Sequence, residues 1–154
     1  MSVANRKLWR AAIATDLETA LVPTYAQAVY AGQVATFDGQ YPVVVVSSTG
    51  SERTDNDTTQ ATALFINLDV FVVYADSANG WDEMDAEDAI DDIEAAVAAW
   101  VADNATRVPT ASTVGWTGLE YAGRTVADAP PPTIGGMEYR FEQISLRVSI
   151  QGAV

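Results

Sequence analysis

The sequence predicts one α+β domain over residues 1–154, a mixed, mainly antiparallel sheet of about five strands with two helices packed on one face. A chain of 154 residues is long enough for one hydrophobic core and short for two. Two segments carry apolar residues at helical spacing, and the segments between and after them are rich in β-branched residues. Helices and strands do not alternate regularly along the chain, which favours antiparallel pairing over a parallel sheet.

The first helix is predicted over residues 5–21. Its apolar residues recur at helical spacing, at Leu8, Ala12 or Ile13, Leu17 and Leu21. Pro23 ends this pattern, because proline lacks the N–H that a helix interior requires. The next elements are an irregular strand region (27–37), a turn at Asp38-Gly39 and a β-branched strand (41–48).

Two segments predict long loops, at 47–60 and 127–136. The first is polar and shows no apolar periodicity, and the second contains three consecutive prolines. Loops of this length in a compact domain are usually functional or disordered. We therefore expect both to become ordered when the chain assembles with partners.

Three further strands are predicted, at 61–76, within 110–128 and at 137–151. The inward residues of the first are Leu64, Ile66, Leu68, Val70, Val72 and Tyr74, and those of the last are Ile144, Leu146, Val148 and Ile150.

The alternate positions on the first and last of these strands mix polar with apolar side chains, including Phe65 and Val73. Such a face is too polar for a core and too apolar for free solvent. We call six of these positions the polar sheet face and predict that they lie partly buried between subunits: Asn67, Asp69, Phe71, Gln143, Ser145 and Arg147. Within this set, Asp69 is the expected ion-pair partner of Arg147.

The second helix is predicted over residues 82–104. Asp82 can cap it, and Asp85 completes a capping-box pattern with a shorter side chain than the usual Glu. The inward stripe is Ile90, Ile93, Val97, Trp100 and Val101. Eight of the thirteen side chains in residues 82–94 are carboxylates. Four of them form what we call the acidic helix surface, predicted to face solvent: Glu87, Asp88, Asp91 and Asp92.

The acidic segments do not fit a calcium loop. A loop that starts at Asp55 places Gln60 where glycine is required, and a loop that starts at Asp76 places Trp81 there. A solvated helix surface is the simplest interpretation, although its like-charge pairs at i,i+4 each cost about 0.2–0.5 kcal/mol in dilute salt. A functional negative surface is the remaining alternative.

The composition removes several site chemistries. The chain has no Cys and no His, so thiolate metal sites, thiol nucleophiles and serine–histidine pairs are excluded. Paired carboxylates could still catalyse hydrolysis, but no phosphate loop, nucleophile elbow or dinucleotide fingerprint is present. We predict no enzymatic activity, no cofactor and no bound metal. No run of 18 apolar residues occurs, so no membrane partner is predicted.

The net charge of −13, with only eight Lys and Arg, argues against nucleic-acid binding by counterion release. Lys7 is the only lysine, and Asp outnumbers Glu. This pattern is typical of proteins from high-salt cytoplasm, where salt screens the repulsion between acids. We predict a halophilic origin, although a GC-rich genome produces part of the same bias.

Several short motifs resemble those of the tail terminator (tail completion) proteins of long-tailed bacteriophages, of the lambda minor tail protein type. The matching residues are Phe37-Asp38, Pro42 to Val46, Leu68-Val70-Phe71, the helix that opens at Asp82, and the run FEQISLRVSI at 141–150. The order of elements is similar over nearly the whole chain. The chain departs from the family in a longer first segment and in the prolines at 130–132.

The resemblance implies a non-enzymatic virion protein of the tail or neck region, assembled in the host cytoplasm. In that family a homo-hexameric ring caps the tail tube, ends tube polymerisation and joins the neck or head. The implied partners are other copies of the chain, the major tail tube protein and a neck or head–tail connector protein. Viral DNA passes non-specifically through the lumen, and an acidic surface suits such a conduit because it repels phosphate.

Two alternatives stay open at the level of sequence. One is a neck or stopper protein, or another ring component of the head–tail connector. The other is a cellular small-ligand-binding α+β domain. A ligand-binding domain would stay monomeric and contain a closed apolar pocket, whereas a ring protein would form hexamers in solution or on tubes.

Overall fold

The computed structural model describes residues 5–55, 60–126, 133–134 and 136–151. Within them, two helices and a mixed, mostly antiparallel six-stranded sheet confirm the predicted α+β class. In chain order the elements are α1 (Arg6–Leu21), β1 (Ala28–Tyr30), β2 (Val43–Asp55), β3 (Gln60–Val73), a 3-10 turn (Ser77–Asn79), α2 (Glu83–Asp103), β4 (Gly118–Val126), β5 (Thr133–Ile134) and β6 (Met137–Gln151).

The strand order in the sheet is β1-β2-β3-β6-β4, and the short β5 pairs with the start of β6. All pairs are antiparallel except β1 with β2, which run parallel over three residues. The last strand, β6, therefore lies inside the sheet, between β3 and β4. Its register with β3 sets Gln143 opposite Asp69 and Ser145 opposite Asn67.

Both helices pack on one face of the sheet, as predicted, and form the main core there. The strand residues on this face are Val44, Val46, Leu64, Ile66, Leu68, Val70, Val72, Ile144, Leu146, Val148 and Ile150. The predicted stripe of α2 is buried in full. The prediction for α1 was wrong at Leu8, which is 54% exposed, while Trp9 is 2% exposed. The buried series begins at Trp9 and continues to Ile13, Leu17 and Leu21, an unbroken i,i+4 stripe.

The start of α2 is fixed by the predicted capping box. The Asp82 Oδ1 accepts a hydrogen bond from the Asp85 N–H, and the Asp85 Oδ2 accepts one from the Asp82 N–H, each at 2.9 Å. These bonds satisfy two backbone donors that a helix N-terminus leaves free. In the described part of the chain, neither helix combines the length and apolar character needed to cross a membrane.

A second, smaller cluster lies on the opposite face of the sheet, at one end of the strands. It contains Phe37, Val43, Val45, Phe71, Val73 and Tyr139, each at most 4% exposed. Phe37 comes from the segment between β1 and β2, and its ring lies 5.3 Å from that of Tyr139 in an edge-to-face contact. This segment covers only one end of the face. Farther along the strands, the residues on this face are mainly polar and are not covered by the segment.

The predicted loop at 47–60 was wrong over most of its length. Strand β2 continues to Asp55 and β3 begins at Gln60, so the two form one long hairpin. A bulge between Ser48 and Gly50 interrupts the register, which explains why alternation fails there in the sequence.

Of the second predicted loop, 127–132 and 135 lie outside the described residues. Tyr74, predicted as part of a strand, follows the end of β3 and is 37% exposed.

Candidate interaction surface

The polar sheet face is built from two adjacent central strands, β3 and β6. Directly opposed residues bond across them: the Gln143 Nε2 donates to the Asp69 Oδ1 at 3.0 Å, and the Ser145 Oγ donates to the Asn67 Oδ1 at 3.1 Å. All four side chains are partly buried. These cross-strand bonds fix the side chains before any partner binds.

Asp69 has an unusual environment for a carboxylate. Its strand neighbours are Val45 on β2 and Gln143 on β6. Burial raises the pKa of Asp69, and the hydrogen bond from Gln143 acts in the opposite direction. The single chain therefore holds a partly desolvated carboxyl group that receives a neutral side-chain donor.

Within the chain, Arg147 does not pair with Asp69, so their expected pairing between subunits stays a prediction. Arg147 lies opposite Phe65 on β3 and opposite Glu120 on β4, whereas Asp69 lies opposite Gln143. Strand pairing places partners in directly opposed positions, and Arg147 and Asp69 stand four positions apart along the ladder. The Arg147 side chain is exposed and forms no ion pair with a described residue.

Phe71, the sixth member of the set, differs from the other five because the chain itself covers it. It is 4% exposed, and its ring lies 5.2 Å from Phe37 and 5.1 Å from Phe141. Phe141 and Phe65 are only partly buried, and they flank the polar positions. The sequence prediction did not include Phe141, although its odd number on β6 places it on this face.

The acidic helix surface points away from the sheet. Glu87, Asp88, Asp91 and Asp92 are all exposed, while Ile90 and Ile93 from the same turns are buried. Among the described residues, no group of acidic side chains is arranged to hold a metal ion.

The α2–β4 connection is tied to α1 by contacts that the sequence did not predict. Arg107 forms an ion pair with Asp16 at 2.6 Å and lies over the ring of Trp116, 4.9 Å from its centroid. The Trp9 Nε1 donates to the Gly115 carbonyl at 3.0 Å. Gly115 is required there, because an added Cβ would lie 2.5 Å from the Arg107 carbonyl oxygen. Nothing local in the sequence marks partners so far apart along the chain.

A cavity of about 390 Å³ lies beside these contacts. Its lining is mainly apolar and includes Trp9, Pro109, Val114, Trp116 and Ile150. Its size is within the range of small-molecule pockets. The charged lining residue, Arg107, is already engaged by Asp16 and Trp116.

A second hollow, of about 470 Å³, is lined by aromatic and proline residues that include Tyr25, Tyr41 and Trp81. The Tyr41 hydroxyl donates to the Asp76 Oδ2 at 2.8 Å, and the Trp81 Nε1 donates to the Val73 carbonyl at 2.9 Å. These two donors are therefore committed within the chain, and the remaining polar lining includes Thr24, Gln27 and Asn79.

No protein family model matches the chain, and no curated protein matches its sequence.

Proposed function

We propose that this chain is a structural virion protein of a long-tailed virus whose subunits form a ring that caps the tail tube. The ring would end tube polymerisation and offer the surface that joins the neck or head, with viral DNA passing through the lumen. The observation that carries the proposal is the open part of the polar sheet face, and the sequence resemblance described above suggests what the face is for.

An uncovered face of this kind suits contact between subunits. Phe65 and Phe141 keep part of their surface exposed, and Asp69 is partly desolvated and forms no ion pair with a described residue. A contact that covers the face would bury apolar area and could provide Asp69 with a charged donor. Head-to-tail contacts between identical subunits close into a ring when the rotation permits.

The charge of the chain supports a passage for DNA. The acidic helix surface is exposed and the net charge is −13, so the protein would repel phosphate and not retain it. The proposed partners are further copies of the chain, the tail tube protein and a neck or connector protein. The proposed location is the tail or neck region of the virion.

The direct test is negative-stain microscopy of the purified protein, alone and with tail tubes, at low and at molar salt. We expect ring particles and rings seated on tube ends. Arg147→Glu should reduce ring formation without lowering the melting temperature, because Arg147 is exposed and unpaired within the described chain. Lys7→Glu, an exposed change of the same charge on α1, is the matched control and should leave rings intact. Normal rings from Arg147→Glu, or no rings from the unaltered chain, would contradict the proposal.

A small-ligand-binding domain is the second candidate, and the cavity of about 390 Å³ beside Trp9 and Trp116 favours it. A ligand there should quench or shift tryptophan fluorescence and raise the melting temperature. A screen of small apolar compounds against the unaltered chain and Val114→Trp, which would fill the cavity, tests it. Saturable binding by a monomeric chain, lost in Val114→Trp, would favour this function over the ring.

A further inference from the structure

We propose that the polar sheet face of one chain packs on the same face of a second copy about a two-fold axis, with Arg147 of each copy bound to Asp69 of the other. This goes beyond the proposed ring, because a two-fold pair is closed and needs neither tube nor neck protein. Pair and ring would use the same face, so they would compete for it.

The first argument is that neither charge has an oppositely charged partner among the described residues, and a second copy supplies one to each. The Asp69 carboxylate is partly buried, and its neighbours on the adjacent strands are Val45 and Gln143. The Arg147 side chain is exposed and makes no ion pair with a described residue. An arginine–carboxylate contact satisfies both groups and is among the stronger hydrogen-bonded pairs.

The second argument is the symmetry of their positions. The rung formed by Asn67 and Ser145 lies midway between them: Asp69 stands two residues along β3 in one direction, and Arg147 two residues along β6 in the other. At about 3.3 Å per residue, each lies roughly 7 Å from the rung. A two-fold axis across the strands at this rung brings each Arg147 above the Asp69 of the other copy.

The third argument is spacing and the exclusion of water. Sheets that pack face to face lie about 10 Å apart, a gap that an arginine side chain can bridge. Phe65 and Phe141 flank the polar positions and are partly exposed, so pairing would bury them and remove water from the ion pair. In a drier site the attraction between opposite charges is stronger. The other end of this face is closed by Phe37, which limits the contact to the open part.

Glu120 is the competing partner for Arg147. It lies directly opposite Arg147 on β4 and is exposed. Exposed ion pairs contribute little to stability, so we expect Arg147 to prefer the partly buried Asp69 of a second copy. Removing the Glu120 charge should leave the two-fold pair intact or strengthen it.

The test is sedimentation velocity over a range of protein concentrations, at moderate salt to screen the net charge of −13. The unaltered chain should form a dimer. Arg147→Glu and Asp69→Arg should each weaken dimerisation at least about tenfold, because each places like charges together at both ends of the contact. An equimolar mixture of the two variants should restore a dimer, since every acidic position then faces a basic one. Glu120→Gln is the control and should dimerise at least as well as the unaltered chain.

Circular dichroism melting of each variant establishes that it is folded, and Asp69→Lys replaces Asp69→Arg if the latter does not fold. A monomeric unaltered chain, variants that dimerise normally, or a folded mixture that stays monomeric would overturn the two-fold pairing. Rings seen by microscopy without dimers in solution would leave the ring proposal standing alone. Dimers without rings would support the pairing and count against the ring.

Discussion

The two faces of the sheet come from the same strands and differ in almost every physical respect. On β3, Leu64, Ile66 and Leu68 face the helices and are fully buried, while the alternating Phe65, Asn67 and Asp69 face the other side and remain partly exposed. The helix-side face is mainly apolar and covered by the two helices, with Glu142 as a buried charged residue near one end. The opposite face is apolar and covered only near Phe37, and beyond that it is polar and open. The comparison separates residues that hold the fold together from residues available to a partner.

Neighbouring residues on β3 give the largest expected difference. Leu68→Ala on the helix side should lower the free energy of unfolding by about 2–5 kcal/mol, because it opens a cavity in a close-packed core. Asn67→Ala on the open side removes one hydrogen bond that water can replace, and should cost about 0.5–1.5 kcal/mol. Urea denaturation of the monomeric chain measures both. Equal losses would mean that the two faces contribute alike to stability.

Two glycines test the same difference between a closely packed region and an open one: Gly115 in the α2–β4 connection and Gly50 on β2. Gly115→Ala places a Cβ 2.5 Å from the backbone oxygen of Arg107 and the backbone nitrogen of Pro109, so the backbone must move, at a cost of about 1–3 kcal/mol. Gly50→Ala meets only the Phe65 ring at 3.7 Å and should be neutral or stabilise by about 0.4–1 kcal/mol. Thermal melting compares them. A harmless Gly115→Ala would show that the α2–β4 connection shifts easily.

A smaller effect is expected from the acidic helix surface, on the outside of the covered layer. The pairs Glu87–Asp91 and Asp88–Asp92 repel at i,i+4, at about 0.2–0.5 kcal/mol each. The melting temperature should therefore rise with sodium chloride toward molar concentrations. Replacing Asp88, Asp91 and Asp92 by Asn should flatten this rise without loss of the fold.

Glu52→Gln, which removes an exposed carboxylate from β2, is the control for this salt series and should leave its slope nearly unchanged. Calcium chloride at constant ionic strength should have no saturating effect on the melting temperature. A flat sodium series together with a saturating calcium series would show that the acids bind metal.

The smallest expected effect concerns Asp69. Burial raises its pKa above that of an unfolded chain, so the native state binds this proton more tightly, and stability falls as pH rises through the interval between the two values. Asp69→Asn should therefore be more stable than the unaltered chain near pH 7, with an advantage that shrinks as pH falls to the ordinary carboxyl range. Asp92→Asn, an exposed control, corrects for net charge. Melting curves of dilute protein from pH 3 to pH 8 test this, and an advantage that grows at low pH would contradict it.

Sequence patterns predicted the elements whose structure depends on residues close together along the chain. The capping box at Asp82 and Asp85 and the inward stripe of α2 both depend on residues within one or two turns, and both are confirmed. Burial of the even positions from Leu64 to Val72 on β3 and from Ile144 to Ile150 on β6 also followed from alternation, which failed at Tyr74. The prediction failed at Leu8 because two overlapping apolar stripes were possible on α1, and packing against the sheet selected the one that contains Trp9.

Features that depend on distant partners could not be predicted from local pattern. The polar stretch after Ser48 is a strand because Ala61 to Phe65 pair with it. The contacts of Arg107 with Asp16 and of Trp9 with Gly115 join residues about a hundred positions apart. The six positions of the polar sheet face lie on β3 and β6, but the cover over Phe71 comes from Phe37, in a segment without a regular pattern. Whether a second subunit covers the remaining five residues stays a prediction.

The position of β6 has a consequence for how the chain is made. Because β6 lies between β3 and β4, β4 has no neighbour in the described sheet until the residues that pair with it, up to Ser149, have left the ribosome. A nascent chain can form α1, the β2–β3 hairpin and α2, but one edge of β3 and much of the core stay open until β6 arrives. Contacts between residues so far apart slow folding, and an unpaired strand edge exposes a growing chain to aggregation. The high negative charge of the chain would then protect it during synthesis, through repulsion between unfinished copies.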